Sequence, residues 1–121
     1  MIVYKIDWIS REAKEATLLI GDGVYECFTF SHPCHFDLGY SLLDPLLALD
    51  AKGIRLAEVD KLSISRIGNT FGHDVIGIVS ETNPTIVRIG NIKIEIEEQL
   101  PMGIKQNDIV QFFCSRLDVI K

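Results

Sequence analysis

Long hydrophobic runs are missing from this sequence. No stretch of its 121 residues approaches the roughly 18 apolar residues that a membrane-spanning helix needs. The first residues, Met1–Lys5, show no basic region followed by an apolar run, so we expect no signal peptide. With 47% hydrophobic and 24% charged residues, the composition argues against a disordered chain. We therefore expect one domain over residues 1–121, cytoplasmic and without a membrane partner.

The sequence has few cysteines, and their number is odd. The three cysteines, Cys27, Cys34 and Cys114, cannot all form disulfides within one chain. A sparse, odd count argues against a secreted disulfide scaffold and favours reduced thiols.

Basic residues are few and scattered. Twelve Lys and Arg stand against seventeen Asp and Glu, and the formal net charge is −5. Binding to nucleic acid leaves an electrostatic footprint of clustered basic residues, and none is visible here. The composition therefore argues against nucleic acid as a partner and favours a basic macromolecule.

Alternation of apolar and polar residues is the main structural signal. Ile2, Tyr4, Ile6 and Trp8 share one face of an extended segment at the start of the chain. Asp22-Gly23 and Gly90-Asn91 are typical of tight hairpin turns between antiparallel strands. From the same patterns we predict that Ile6, Trp8, Phe28, Ile94 and Val110 are buried.

The two halves of the chain match at an offset of 68 residues, with Gly23 on Asn91, Pro33 on Pro101 and Gly39 on Asn107. Chance similarity is the alternative, because turn residues recur in any β protein. The match predicts a pseudo-repeat of residues 1–50 and 73–121 around a connector, 51–72. The predicted fold class is mainly β: an antiparallel small barrel or sandwich of about eight strands, built from two similar β-meander halves. One short helix, near Arg55–Leu62, is expected between the halves.

Candidate metal ligands cluster at Cys27, His32, Cys34 and His35. Thiolate and imidazole groups suit zinc, but these ligands are almost consecutive, whereas structural zinc sites use separated pairs. A nucleophile formed by Cys34 with His32 or His35 is the enzymatic form of this alternative. Phosphate-binding glycine motifs are absent, and the neighbouring pair His73-Asp74 is more typical of a solvated loop than of a general base.

The segment Leu100–Val110, LPMGIKQNDIV, resembles the proline, turn and apolar strand step of OB-like and SH3-like small barrels. In length, acidity and lack of catalytic motifs, the whole chain is similar to small bacterial proteins that include toxin-immunity proteins. The resemblance implies a non-enzymatic cytosolic protein without a cofactor. It departs from OB-fold nucleic-acid binders because the basic groove is missing.

Three functional hypotheses follow. The leading one is a non-enzymatic protein-binding module, most concretely an immunity or inhibitor protein that neutralises a basic partner such as a toxin. Its candidate contact residues are Glu95, Glu97 and Glu98, expected outside a strand whose isoleucines face the core. The first alternative is a small enzyme or zinc-binding protein that uses Cys34, His32 and His35. The second is an OB-like binder of single-stranded nucleic acid, with Phe28 and Phe30 as a stacking platform.

Overall fold

A computed structural model describes residues 1–120, and no helix occurs in that range. Consequently nothing in these residues forms a helix of the length and hydropathy needed to cross a membrane. The strands are β1 Ile2–Ser10, β2 Glu15–Gly21, β3 Glu26–Ser31, β4 Leu46–Leu49, β5 Lys52–Leu56, β6 Ser63–Arg66, β7 His73–Thr82, β8 Thr85–Ile89, β9 Ile92–Ile96, β10 Ile109–Cys114 and β11 Arg116–Asp118. They form one mixed sheet in the order β1-β2-β3-β11-β4-β9-β8-β7-β10-β5, and β6 pairs with β7 outside that path.

Each half of the chain begins with an antiparallel three-stranded meander. β1, β2 and β3 form the first, and β7, β8 and β9 form the second. The segment that follows each meander returns to the free side of its first strand. In the first half Gly39–Leu42 lies beside the start of β1, and in the second β10 lies beside β7. The predicted hairpins at Asp22-Gly23 and Gly90-Asn91 are both present.

The two short strands at the centre of the sheet join the halves. β4 and β11 pair antiparallel with each other, but β4 runs parallel to β9 and β11 runs parallel to β3. The prediction of purely antiparallel pairing in about eight strands is therefore wrong. Each half sends its last strand across to the other meander, and that crossover produces a parallel neighbour. The sheet is open, with β1 and β5 as its end strands.

The core lies inside the curved sheet and is drawn from both meanders. Its largest fully buried side chains are Phe112, Leu18, Ile20, Leu46, Ile89, Ile92, Ile94, Leu117, His73, Val3, Val75 and Val79. β3, β7, β9 and β10 alternate between buried and less buried residues, as the sequence predicts, whereas β2 and β8 are buried along most of their length. Ile94 and Val110 are fully buried as predicted, and Ile6 and Trp8 are half-buried against this core.

The predicted helix near Arg55–Leu62 is absent. Residues up to Leu56 belong to β5, which pairs with β10, and the next strand, β6, begins at Ser63. Leu56 and Val59 are each 55% exposed, so the apparent helical spacing does not define a face that packs on the core.

A bulge near the start of β1 changes which residues face inward. The register with β2 shifts between Val3 and Lys5, so that Val3 is buried and Tyr4 is exposed. The sequence alternation assigned Tyr4 to the same face as Ile6, and an extra residue in the strand breaks that phase. The strand region at the end of the chain is likewise interrupted, at Ser115, between β10 and β11.

Candidate functional site

One open groove gathers all three of the predicted partner-binding acids. It has a volume of about 550 Å³ and lies at the β7–β8 turn and the end of β9. Its lining residues, which we call the acidic groove, are Thr82, Asn83, Pro84, Thr85, Glu95, Ile96, Glu97, Glu98, Gln99, Leu100 and Ile104. Among the described residues, no Lys, Arg or His lines it.

Strand β9 positions these acids. Ile92, Ile94 and Ile96 are buried, so period two directs Glu95 to the outer face, as the sequence predicted. Glu95 lies in register between Leu47 of β4 and Ile86 of β8 and is half-buried.

The strand ends before the other two acids. Glu97 and Glu98 follow Ile96, the last residue of β9, and both line the groove. Glu97 is exposed. One carboxylate from the strand and two from the segment after it therefore line the same groove.

These carboxylates are not neutralised within the described chain. The ion pairs of residues 1–120 involve Lys5 with Asp7, Lys105 with Asp108, and Arg116 with Asp118. Glu98 Oε1 is also shielded from solvent and accepts no hydrogen bond from residues 1–120. A shielded carboxylate oxygen without a donor is unfavourable.

The sequence-predicted cluster of cysteine and histidine does not assemble into a metal centre. Cys27 and Cys34 are buried, whereas His32 and His35 are exposed. Within residues 1–120 no group of three or more Cys, His, Asp or Glu side chains is placed to hold a metal ion. The reason is geometric, because the chain bends at His32 and Pro33 after β3 ends, and it then places Cys34 in the core and both histidines in solvent.

Two of the buried thiols, those of Cys114 and Cys27, are held in their protonated form. Burial raises the pKa of Cys114 to about 12, and the backbone hydrogen bond from His73 only partly opposes that effect. Burial also raises the pKa of Cys27, with smaller contributions from Cys114, Glu26 and Asp22. A thiol that stays protonated is a poor nucleophile and a poor metal ligand, so Cys27 and Cys114 act as small apolar core residues.

A second surface feature was not foreseen. Phe28 and Phe30 lie on the outer face of β3, only half-buried, while Cys27, Thr29 and Ser31 face the core. The prediction that Phe28 belongs to the core is wrong, because the strand has the opposite phase. Phe71 joins them, with its ring centroid 5.5 Å from that of Phe28 and 6.4 Å from that of Phe30.

Two arginines cover these rings and complete what we call the aromatic–arginine cluster: Phe28, Phe30, Phe71, Arg66 and Arg116. The guanidinium carbon of Arg66 lies 3.6 Å from the centroid of Phe28, and that of Arg116 lies 4.3 Å from the centroid of Phe30. These are cation–π distances.

The two guanidinium groups are held in different ways. Arg66 donates hydrogen bonds to the carbonyl oxygens of Thr70 and Asn69, at 2.7 and 3.1 Å. Arg116 forms a two-pronged ion pair with Asp118, at 2.6 and 2.9 Å, which raises the pKa of Arg116.

The arginines lie far from Phe28 and Phe30 in sequence, so no local motif reveals the cluster. No Lys or Arg stands near these phenylalanines in the sequence. Only the pairing of β6 with β7 and of β11 with β3 brings the arginines there.

His73 is structural rather than exposed at the mouth of a strand. Its side chain is fully buried, and its Nε2 accepts a hydrogen bond from the backbone N–H of Phe28 at 3.1 Å. Nδ1 lies 3.1 Å from the carbonyl oxygen of Phe71, so Nδ1 carries the proton and donates it there. The ring thereby links β7 to β3, two strands that are not neighbours in the sheet. Asp74, its sequence neighbour, is exposed and takes no part in this link.

Comparison with known proteins adds no assignment. No protein-family model matches the chain, and no curated protein or solved structure is similar to it.

Proposed function

We propose that this chain is a protein-binding module whose acidic groove receives basic side chains of a partner protein. One observation supports the proposal above others: Glu95, Glu97 and Glu98 line a single groove that contains no basic side chain of the described chain. The net charge of −5 adds a long-range attraction for a basic partner.

The walls of the groove suit a lysine or arginine side chain. Pro84, Leu100 and Ile104 supply apolar surface beside the carboxylates. Lys and Arg carry a long apolar stem and a charged head, so the stem packs on such a surface while the head meets the acids. Glu97 is exposed and Glu95 is half-buried, so their carboxylates can accept hydrogen bonds from that head.

The most concrete form of this function is neutralisation of a basic protein, as an immunity or inhibitor protein does with a toxin. Such a role requires fast and specific association rather than a catalytic step. Complementary charge raises association rates, most strongly at low salt, which fits an unneutralised acidic groove.

Nuclear magnetic resonance can locate the contact. The isotopically labelled protein is titrated with three peptides of equal length, one rich in Lys and Arg, one rich in Asp and Glu, and one uncharged. We expect the basic peptide alone to shift backbone amide signals, and the shifts to concentrate in Glu95–Leu100 and the β7–β8 turn. Shifts spread evenly over the surface, or none with the basic peptide, would contradict the proposal.

A binder of single-stranded nucleic acid is the second candidate, and one observation favours it. The aromatic–arginine cluster supplies basic groups beside Phe28 and Phe30, although no Lys or Arg is near them in the sequence. Bases stack on aromatic and guanidinium planes, and arginine also meets phosphate. In the same titration a pyrimidine oligonucleotide that shifts the amides of Phe28, Phe30 and Phe71 would support this candidate over the first.

A further inference from the structure

The two end strands of the sheet differ in how well their open edges are protected. β5, at one end, has five residues, of which Lys52 and Arg55 are charged and Gly53 has no side chain. β1, at the other end, has nine residues and is mostly apolar. Short, charged edge strands resist pairing with other chains, whereas long apolar ones invite it.

The outer side of β1 is covered only near its beginning. Gly39 and Tyr40 bond to Val3, and the amide of Leu42 bonds to the carbonyl oxygen of Met1, at 2.7 to 3.0 Å. Beyond Val3, β1 pairs with β2 on its inner side, and within the described chain no strand lies on its outer side. The stretch Lys5–Ser10 therefore presents backbone donors and acceptors at an open edge.

Apolar surface adjoins this edge. A groove of about 420 Å³ is lined by Tyr4, Lys5, Ile6, Trp8, Arg11, Phe36, Asp37 and Leu38. Within and beside it Tyr4 is 41%, Ile9 56% and Leu38 65% exposed. Contiguous exposed apolar surface of this kind marks an interaction site more often than a free surface.

We propose that β1 pairs antiparallel with β1 of a second copy of this chain, centred on Ile6. In that register Lys5 faces Asp7 of the second copy, and Asp7 faces its Lys5. Two opposite-charge pairs thus flank one Ile6 pair. Cross-strand pairs of these kinds stabilise antiparallel sheets.

The strand's own geometry supports this centre. β1 has register shifts between Val3 and Lys5 and between Trp8 and Ser10. Bulges interrupt pairing, so the regular stretch between them is Lys5–Trp8, and a centre on Ile6 keeps Lys5, Ile6 and Asp7 inside it. Lys5 and Asp7 are 66% and 60% exposed, 3.6 Å apart, and free to pair across the edge as well as with each other.

This inference is independent of the proposed function. None of the residues of the acidic groove belongs to β1 or to the groove beside it. Failure of either one leaves the other intact.

Reversal of single charges tests the pairing. Lys5→Asp places two Asp–Asp pairs across the edge of a symmetric dimer, and Asp7→Lys places two Lys–Lys pairs there. Sedimentation velocity at low salt, over a range of micromolar concentrations, should show a dimer for the native chain. Each variant alone should associate at least roughly tenfold more weakly, because two attractive pairs become repulsive.

An equimolar mixture of the two variants gives the decisive result. The two aspartates that the Lys5→Asp variant carries at this edge then face the two lysines of the Asp7→Lys variant, and the mixture should form a mixed dimer. Lys61→Asp, an exposed charge reversal outside β1, is the matched control and should dimerise like the native chain. Circular dichroism verifies that each variant keeps the β fold.

Three outcomes would overturn the proposal. They are a native chain that stays monomeric at every concentration, single variants that dimerise as well as the native chain, and a mixture that stays monomeric.

Discussion

His73 shows how one buried side chain can replace a missing strand neighbour. The sheet leaves the backbone N–H of Phe28 without a partner strand, and the imidazole Nε2 accepts its hydrogen bond instead. Burial lowers the pKa of His73, the nearby Arg66 lowers it further, and the hydrogen bond to the carbonyl of Phe71 partly opposes this. The neutral ring is therefore the form that belongs to the folded protein.

We predict that acid weakens the fold through His73. In the unfolded chain the ring gains a proton near its ordinary pKa of 6.5, whereas in the folded chain its pKa is lower. The unfolded state thus binds more protons below pH 6.5, and this contribution to stability is complete above that pH and lost progressively below it. Urea unfolding at pH 7.5 and 5.5 measures the change.

The variant His73→Asn is the control for this prediction. It should lose about 1–3 kcal/mol at pH 7.5, because the Phe28 N–H loses its acceptor. It should also show a smaller loss between pH 7.5 and 5.5 than the native chain. An equal loss in both proteins would show that the pH dependence does not arise from His73.

Phe28 and Arg66 show why the sequence pattern predicted the wrong face of β3 for the core. An aromatic residue in an alternating strand is more often in the core, and the alternation itself does not say which of the two phases faces inward. In β3 the smaller residues Cys27, Thr29 and Ser31 fill the core position. The phenylalanines remain outside because arginines cover their rings.

At the scale of elements, the two predicted hairpins pack against each other. The carboxylate of Asp22 accepts hydrogen bonds from the amides of Val24 and Tyr25 in its own turn, at 2.9 and 2.7 Å. Its other oxygen accepts one from Asn91 in the second hairpin, at 2.8 Å. Burial would raise the pKa of Asp22, but these backbone bonds together lower it. The sequence predicted both turns, but not that one carboxylate would hold them together.

Gly90 tests this contact between the hairpins. A Cβ at this position would lie 2.6 Å from Asp22 Oδ2 and 2.9 Å from Tyr25 Cδ2, and the residue has a φ of 60°. Gly103 also has a positive φ, 93°, but no atom lies within 4 Å of its Cβ position.

We predict that Gly90→Ala destabilises the protein more than Gly103→Ala. Both variants strain the backbone by about 1 kcal/mol or more, but only the first pushes Asp22 and Tyr25 away. Thermal or urea unfolding at neutral pH measures both. Equal losses of stability would show that the contact between the two hairpins does not stabilise the fold.

The prediction of elements succeeded where the chain specifies its own turns and failed where distant segments decide. β2, β3, β8 and β9 follow from alternation around Asp22-Gly23 and Gly90-Asn91. The parallel neighbours of β4 and β11 do not, because local periodicity contains no information on which distant strand lies beside a segment. For the same reason the aromatic–arginine cluster could not be predicted from the sequence. The acids of the acidic groove could be predicted, because Glu95, Glu97 and Glu98 are neighbours in sequence.

In both halves of the molecule, the segment that follows the meander forms hydrogen bonds with the first strand of that meander. The amide of Gly39 bonds to the carbonyl of Val3 at 2.8 Å, and the amide of Asn107 bonds to that of Val79 at 2.8 Å. The two donors, Gly39 and Asn107, differ by the 68 residues of the sequence offset and both have positive φ, 82° and 76°, whereas the two acceptors, Val3 and Val79, differ by 76 residues. These matched turns support the pseudo-repeat, which stays a prediction. Duplication would explain why each half sends a strand into the other.

The acidic groove is one of several acidic regions of a chain with net charge −5, so a test must separate local from overall charge. Glu95→Lys with Glu97→Lys reverses two charges in the groove. Glu58→Lys with Asp60→Lys makes the same change of net charge at exposed positions between β5 and β6, outside the groove. The fold should survive both pairs of substitutions, because none of the four acids is fully buried.

The most direct measurement is the dissociation constant of a Lys- and Arg-rich peptide from the native chain and from these two variants, at low and high salt. We predict that the groove variant binds roughly tenfold or more weakly at low salt and that the control stays within about threefold of the native chain. The difference should shrink at high salt, because the Debye length falls from about 10 Å at 0.1 M to about 3 Å at 1 M. Equal weakening by both variants would mean that net charge alone attracts the peptide, and would contradict a binding site in the acidic groove.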